Sequence, residues 1–260
     1  MMKALKFTLA FVLTLFLSSC LDTEEKIVIN ADKSGMYSMT MDLGKMLEMA
    51  ASMGAKPDSD KPKEKKDTVI YLKDFLTTEN GFTSEEASLY GGALLDIKMD
   101  EEKNQMKIVV SCPFKNAAGL TAVKQHLFSI IKKAKAFENA TGEKSGEGDK
   151  DDTEMAEKST NPVGDQFTFL ATPGMISNTI RSMDEFKNKI ESDSSLIMMK
   201  QMSGMMGDFK YRTILVLPKA VKKFEGPGSV VSADKKTITF ETTLTEMMEN
   251  PEKVSYKVSY

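Results

Sequence analysis

Short apolar runs alternating with turn-forming clusters set the element pattern of this chain. Residues 27–29 and 36–41 are strand-like, and Asn30, Asp32, Ser34 and Gly35 between them supply turn positions, which predicts a β-hairpin. In its second arm Met39 and Met41 alternate with Ser38 and Thr40, so the methionines share one face. Leu43, Met46, Leu47, Met49, Ala50 and Met53 then recur at three- and four-residue spacing and predict a helix ending near Gly54. Residues 56–67 are charged and proline-bearing, as a loop should be, and the chain is extended again from residue 68.

Thr83-Ser84-Glu85-Glu86 opens a short helix with acids in its first turn, and Gly91-Gly92 ends it. A second hairpin is predicted from 93–99 and 106–114. After it comes the best-defined helix, whose stripe is Leu120, Val123, Leu127, Ile130, Ile131, Ala134 and Phe137, with Lys124, Lys132, Lys133 and Lys135 off that face. Residues 139–164 hold glycines, acids and lysines with almost nothing apolar, and predict a flexible acidic loop. Further strands are expected at 166–170, 211–217, 230–231, 237–244 and 254–260, and a helix at 182–206 broken around Ser192-Asp193-Ser194-Ser195. Strand-helix-strand alternation is absent from this order. The expected class is α+β, an antiparallel sheet built from hairpins with amphipathic helices packed on one face.

The first residues concern address rather than fold. Lys3 and Lys6 precede an apolar run at 7–16 and then Leu17-Ser18-Ser19-Cys20, the layout of a secretory signal. Its apolar core is shorter than the roughly 20 residues a membrane-spanning helix requires. Leu17 to Cys20 resembles the lipobox of bacterial lipoproteins. That resemblance implies cleavage before Cys20, with a diacylglycerol and an N-acyl chain on that cysteine. The division expected is a signal peptide at 1–19, an acidic tether at 20–26 (Asp22, Glu24 and Glu25 are its acids) and a body at 27–260. Two or three acyl chains, at about 0.8 kcal/mol per buried methylene, would hold the protein on a membrane in the cell envelope. An acidic cluster after the cysteine is also partly similar to the outer-membrane surface signal of Bacteroidota lipoproteins, and a solvated spacer accounts for it equally.

Composition narrows the chemistry. Without Lys3 and Lys6, 33 of the 35 basic residues face 38 acidic ones, and the two signs are interleaved, which disfavours a nucleic-acid partner. Of the two cysteines, Cys112 lies in an apolar run and reads as a small buried hydrophobe. His126 is the one histidine and reads as a solvated helix-face residue, so a conventional zinc site lacks ligands. The turn at residues 30–35 begins like an EF-hand loop but has Met41 where the bidentate Glu belongs. Together these observations favour a non-enzymatic body without a further cofactor.

The 20 methionines, with no tryptophan, are the oddity of the composition. Met46, Met49 and Met53 on one helix and Met198, Met202 and Met205 on another could line an adaptable apolar groove for a hydrophobic ligand or an envelope protein. The same spacing equally describes gap-filling core, and thioethers binding copper(I) draw on the same residues.

Cys20 with its acidic stalk, the segment Glu25-Lys26-Ile27-Val28-Ile29-Asn30 leading to Ser34-Gly35-Met36-Tyr37, and the helix after Met41-Asp42-Leu43 resemble a group of uncharacterised Bacteroidota outer-membrane lipoproteins. Leu217-Pro218-Lys219-Ala220-Val221 and Asp234-Lys235-Lys236-Thr237-Ile238 are similar to a pattern in other bacterial lipoproteins, including the mycobacterial LppM-like domain. The first hairpin departs from that group in having Lys33 where glycine is usual. The resemblance implies fold and envelope address and supplies no catalytic residue; the function expected from the methionine helices is binding of a hydrophobic ligand or protein partner, with a structural subunit of an outer-membrane complex as the alternative.

Overall fold

The computed structural model describes residues 22–44, 47–48, 65–141 and 166–260. Two sheets dominate. The larger has eight strands and is built around the first hairpin, in which β1 (Asp22–Ile29) pairs antiparallel with β2 (Gly35–Asp42). Beyond β2 lie β5 (Gln105–Phe114), β4 (Leu94–Asp100) and, at the edge, β3 (Lys65–Tyr71). On the other side of β1 are β8 (Lys210–Val216), β11 (Thr237–Thr243) and the edge strand β10 (Ser229–Val231). All neighbours are antiparallel except β1 and β8, which run parallel.

A second sheet of four strands was not expected from the sequence. It comprises β6 (Phe167–Thr172), β7 (Met175–Ile180), β12 (Tyr256–Ser259) and β9 (Lys223–Glu225), all antiparallel. Its second strand shows no period-two apolar pattern, because Ser177 and Asn178 are buried beside Ile176. The α+β class stands, with this sheet added to the helices that cover the large one. Phe240 of β11 stacks on Tyr256 of β12, with ring centroids 4.7 Å apart.

Helix α1 (Ser84–Tyr90) begins with a capping box in which Thr83 and Glu86 satisfy each other's backbone amides. Helix α2 (Ala117–Lys133) buries Leu120, Val123, Leu127, Ile130 and Ile131, as its stripe predicts. It stops at Ala134, and Lys135, at φ 50°, turns the chain into α3 (Ala136–Thr141), so Phe137 belongs to a separate helix. Helices α4 (Met183–Ser192) and α5 (Ser194–Met206) break at Asp193, within the expected stretch. The short α6 (Leu244–Glu249) was not expected; only its first residue, Leu244, falls in the predicted strand at 237–244. Among the described residues no helix is long and apolar enough to cross a membrane.

The acidic stalk needs correction. Asp22 to Lys26, read as a solvated tether, form the first five residues of β1, with Thr23 3% and Glu25 7% exposed. Pairing with β8 from Asp22 and with β2 from Thr23 engages their backbone groups, and the strand's alternation turns every second side chain inward. Lys65 to Asp67, assigned to the charged loop, likewise begin β3. Most of the acidic loop at 139–164, and the remainder of the first methionine helix, lie outside the described residues, although residues 139–141 form the second half of α3 rather than a loop.

Candidate functional site

On the covered face of β1 the inward positions are Thr23, Glu25, Ile27 and Ile29, all buried. The last two are ordinary core, and the first two are polar where apolar side chains are expected. Strand pairing sets what surrounds them. Thr23 lies between Met41 and Tyr211, and Glu25 between Met39 and Thr213.

The Glu25 carboxylate forms an ion pair with the Lys124 ammonium, and both side chains are almost wholly enclosed. The Thr213 hydroxyl donates to the other carboxylate oxygen at 3.4 Å. Tyr37 also hydrogen-bonds to Glu25. Burial first, then the charge of Glu25, pushes its phenol well above the usual tyrosine range, and the same two causes raise Tyr256. Lys124 further sits 5.2 Å from the centroid of the Phe169 ring. The apolar stripe of α2 placed Lys124 off the core face, but it follows Leu120 by one turn and its stem reaches inward past that stripe.

Around this pair is a cavity of about 370 Å³ between the two sheets and α2. Met39, Phe128, Phe167, Phe169 and Met247 form its apolar wall. Thr23 and Tyr211 also line it; their hydroxyls are buried behind that lining and have no hydrogen-bond partner among the described residues. Burial raises the Tyr211 phenol, so it stays a neutral donor and acceptor. Gln125, His126, Ser129 and Arg181 are the exposed lining residues and form the rim. Arg181 donates its Nε to the Phe167 carbonyl and makes no ion pair among the described residues. The guanidinium of Arg212, by contrast, is held by Glu24 and Glu241.

Register gives the cavity a direction. Helix α2 starts just beyond Phe114, at the end of the large sheet where the β1–β2 hairpin turns. Some eight residues of helix, about 12 Å, bring it to Lys124, level with Glu25. Thr121 accepts from the Ala171 amide and Gln125 donates to the Phe169 carbonyl, so β6 runs alongside in the opposite sense. Ser129, Phe167 and Arg181 are therefore level with the first residues of β1. Cavity and rim both lie toward the Asp22 end of the sheet.

Half of the residues of the expected methionine groove lie outside the described ones. Cys20, Met46, Met49 and Met53 lie outside the described residues. Met198 is on α5 and 57% exposed, and Met202 and Met205 follow it on that helix. The methionines that line the cavity are Met39 and Met247. His126 is solvated, as expected, but stands at the cavity rim. Cys112 is fully buried, and burial pushes its thiol up to about 12. Among the described residues no group of three or more His, Cys, Asp or Glu side chains could hold a metal ion.

Sequence reasoning missed the Glu25–Lys124 centre. The available signal was the period-two series Thr23, Glu25, Ile27, Ile29, which reads as a single strand once the acids are not set apart as a stalk.

No family model matches the chain, and no curated protein matches it. Among solved structures it is similar to the folded domain of the Mycobacterium tuberculosis LppM protein, determined by NMR. The identity is 10%, the match covers 94% of this chain and 92% of that one, and the TM-score is 0.34.

Proposed function

We propose that this protein is a non-enzymatic lipoprotein of the bacterial cell envelope that binds a small amphiphilic ligand. Residues 1–19 export it, and cleavage before Cys20 leaves that cysteine with a diacylglycerol and an N-acyl chain that hold the body on the outer membrane. The address is supported by Lys3, Lys6, the apolar run and Leu17-Ser18-Ser19-Cys20.

The observation that carries the binding reading is the cavity lined by an apolar wall together with Thr23 and Tyr211, whose buried hydroxyls have no partner among the described residues. Each buried hydroxyl without a partner costs about 1–3 kcal/mol. Such groups fit a site that a polar ligand atom completes, and the volume is at the small end of the 300–1,000 Å³ typical of ligand pockets. Glu25, the one carboxylate lining the cavity, is engaged by Lys124 and Thr213, which suits a fixed polar wall better than a proton-transfer group.

Two measurements test the reading. Intact mass of the protein extracted from membranes should show a triacylated Cys20, and Cys20→Ser should release the protein from the membrane. Native mass spectrometry of the lipidated protein soaked with an envelope lipid extract should show a retained species that Ser129→Trp, at the rim, abolishes. An unmodified Cys20 would remove the address, and an empty body after soaking would remove the binding role.

A structural subunit of an outer-membrane complex is the second reading. It is favoured by Ile197 and Met198, which stand exposed side by side on α5. In-cell cross-linking from position 198 should then capture one defined protein neighbour.

A further inference from the structure

We infer that the Asp22 end of the large sheet lies against the bilayer, so that the cavity opens onto the membrane and takes the anionic headgroup of a phospholipid from it. This rests on the lipid-anchored reading above and adds an orientation and a ligand class.

The orientation follows from the chain length between anchor and fold. Only Leu21 separates Cys20 from Asp22, where β1 already pairs with β8, and pairing with β2 joins one residue later at Thr23. At about 3.3–3.6 Å per residue, the lipidated cysteine is within roughly 7 Å of the sheet. A body tethered this closely cannot turn its far end, the hairpin at Asn30–Gly35, toward the membrane. The end that carries Asp22 also carries Lys210, Asp42 and Gln105, the corresponding ends of β8, β2 and β5.

The ligand class follows from what stands at that end. Ser129 and Arg181 are the rim residues level with the start of β1, and Arg181 is the exposed rim cation without an ion pair among the described residues. Lys124, deeper in, is neutralised by Glu25. The opening is therefore positive, and the interior offers hydroxyls. At about 370 Å³ the cavity is too small for a two-chain lipid, so the acyl tails stay in the bilayer. A phosphate at Arg181 with a hydroxylated headgroup against Thr23 and Tyr211 satisfies both parts; Arg is suited to the phosphate because its planar fork can donate two bonds.

The chain has no tryptophan, so a single introduced one is an unambiguous reporter. Lipidated protein, its acylation verified by mass, is placed in phosphatidylcholine vesicles containing one-tenth phosphatidylglycerol and bromine-labelled acyl chains. Gln105→Trp, at the Asp22 end, should be quenched and Ala233→Trp, at the opposite end, should not. Equal quenching, or the reverse, overturns the orientation. For the ligand, native mass spectrometry of protein extracted from unlabelled vesicles should show phosphatidylglycerol enriched over phosphatidylcholine by about tenfold, the effect of one charge-assisted hydrogen bond. Arg181→Gln should abolish that preference, and equal retention of the two lipids by the unaltered protein overturns the headgroup assignment. The Cys20→Ser protein with water-soluble dihexanoyl phosphatidylglycerol should show the same Arg181 dependence, so failure of the anchor and failure of the site are read separately. If that soluble form prefers inorganic phosphate, the site serves a free anion and the membrane assignment fails.

Discussion

The Glu25 carboxylate and the Lys124 ammonium, 99 residues apart in the chain, meet as an ion pair enclosed between β1 and α2. Neither charge is isolated, because Thr213 and Tyr37 hydrogen-bond the carboxylate and the Phe169 ring lies beside the ammonium. The pair fastens α2 to the large sheet at the level where the small sheet also packs. Burying two charges costs several kcal/mol before their attraction offsets it, so the damage comes from separating them. Lys124→Met should lower stability by about 3–5 kcal/mol by stranding the carboxylate. Adding Glu25→Gln to it should recover most of that loss. Urea midpoints of the two variants check this, and equal destabilisation in both would contradict it.

Gly35 opens β2 opposite Ile29 and Phe114. A Cβ there would stand 1.9 Å from the Val28 carbonyl oxygen and 2.4 Å from the Phe114 ring. The first obstacle is backbone and cannot swing away. Gly35→Ala should therefore cost about 1–3 kcal/mol, the usual penalty of overpacking. Thermal unfolding measures it, with Gly81→Ala as a comparison for left-handed strain alone, since a Cβ there meets nothing within 4 Å.

The first hairpin, the second hairpin and the α2 stripe were legible because each is local: a turn with its chemistry, or a face with its period. The small sheet was not, since β7 buries Ser177 and Asn178, and β9 has only three residues. Pairing between β1 and β8 leaves no local trace at all. The candidate site was hidden for the same reason. Thr23, Glu25, Lys124, Arg181 and Tyr211 come from four separate elements or their ends, and the charged ones each look like solvated surface until the partner is known.

Asp208 ties α5, β8 and α6 together. It accepts from the Ser203 hydroxyl at 2.7 Å and the Thr245 amide at 3.2 Å. Burial alone would raise its carboxyl, but hydrogen bonds from Thr243, Ser203 and Thr245 outweigh that and hold it below the usual aspartate range. A depressed folded value means that its contribution is complete above the unfolded value and is lost as pH falls through the folded one. Stability followed from pH 5 to pH 2 should fall, and Asp208→Asn should flatten that slope while lowering stability at neutral pH. An unchanged slope would show that the carboxylate is not responsible.

Cys112 is fully buried in β5, and that burial pushes its thiol up to about 12. Because the thiolate is the reactive species, the folded protein at pH 8 should resist a thiol reagent. In the Cys20→Ser form, where this is the sole cysteine, reaction should become rapid and stoichiometric only in denaturant. Fast labelling of the native protein would mean that β5 opens locally.

β1 is the first described strand of the chain and a central strand of the large sheet, and its parallel neighbour β8 begins 188 residues after it in register, at Lys210 beside Asp22. A polypeptide delivered amino terminus first thus holds an unfinished centre until most of its length has emerged. Early segments can make the β1–β2 hairpin, but closure of the sheet waits for residues near the far end. Such a topology defers the final collapse until nearly the whole polypeptide is available, and non-local pairing of this kind folds slowly.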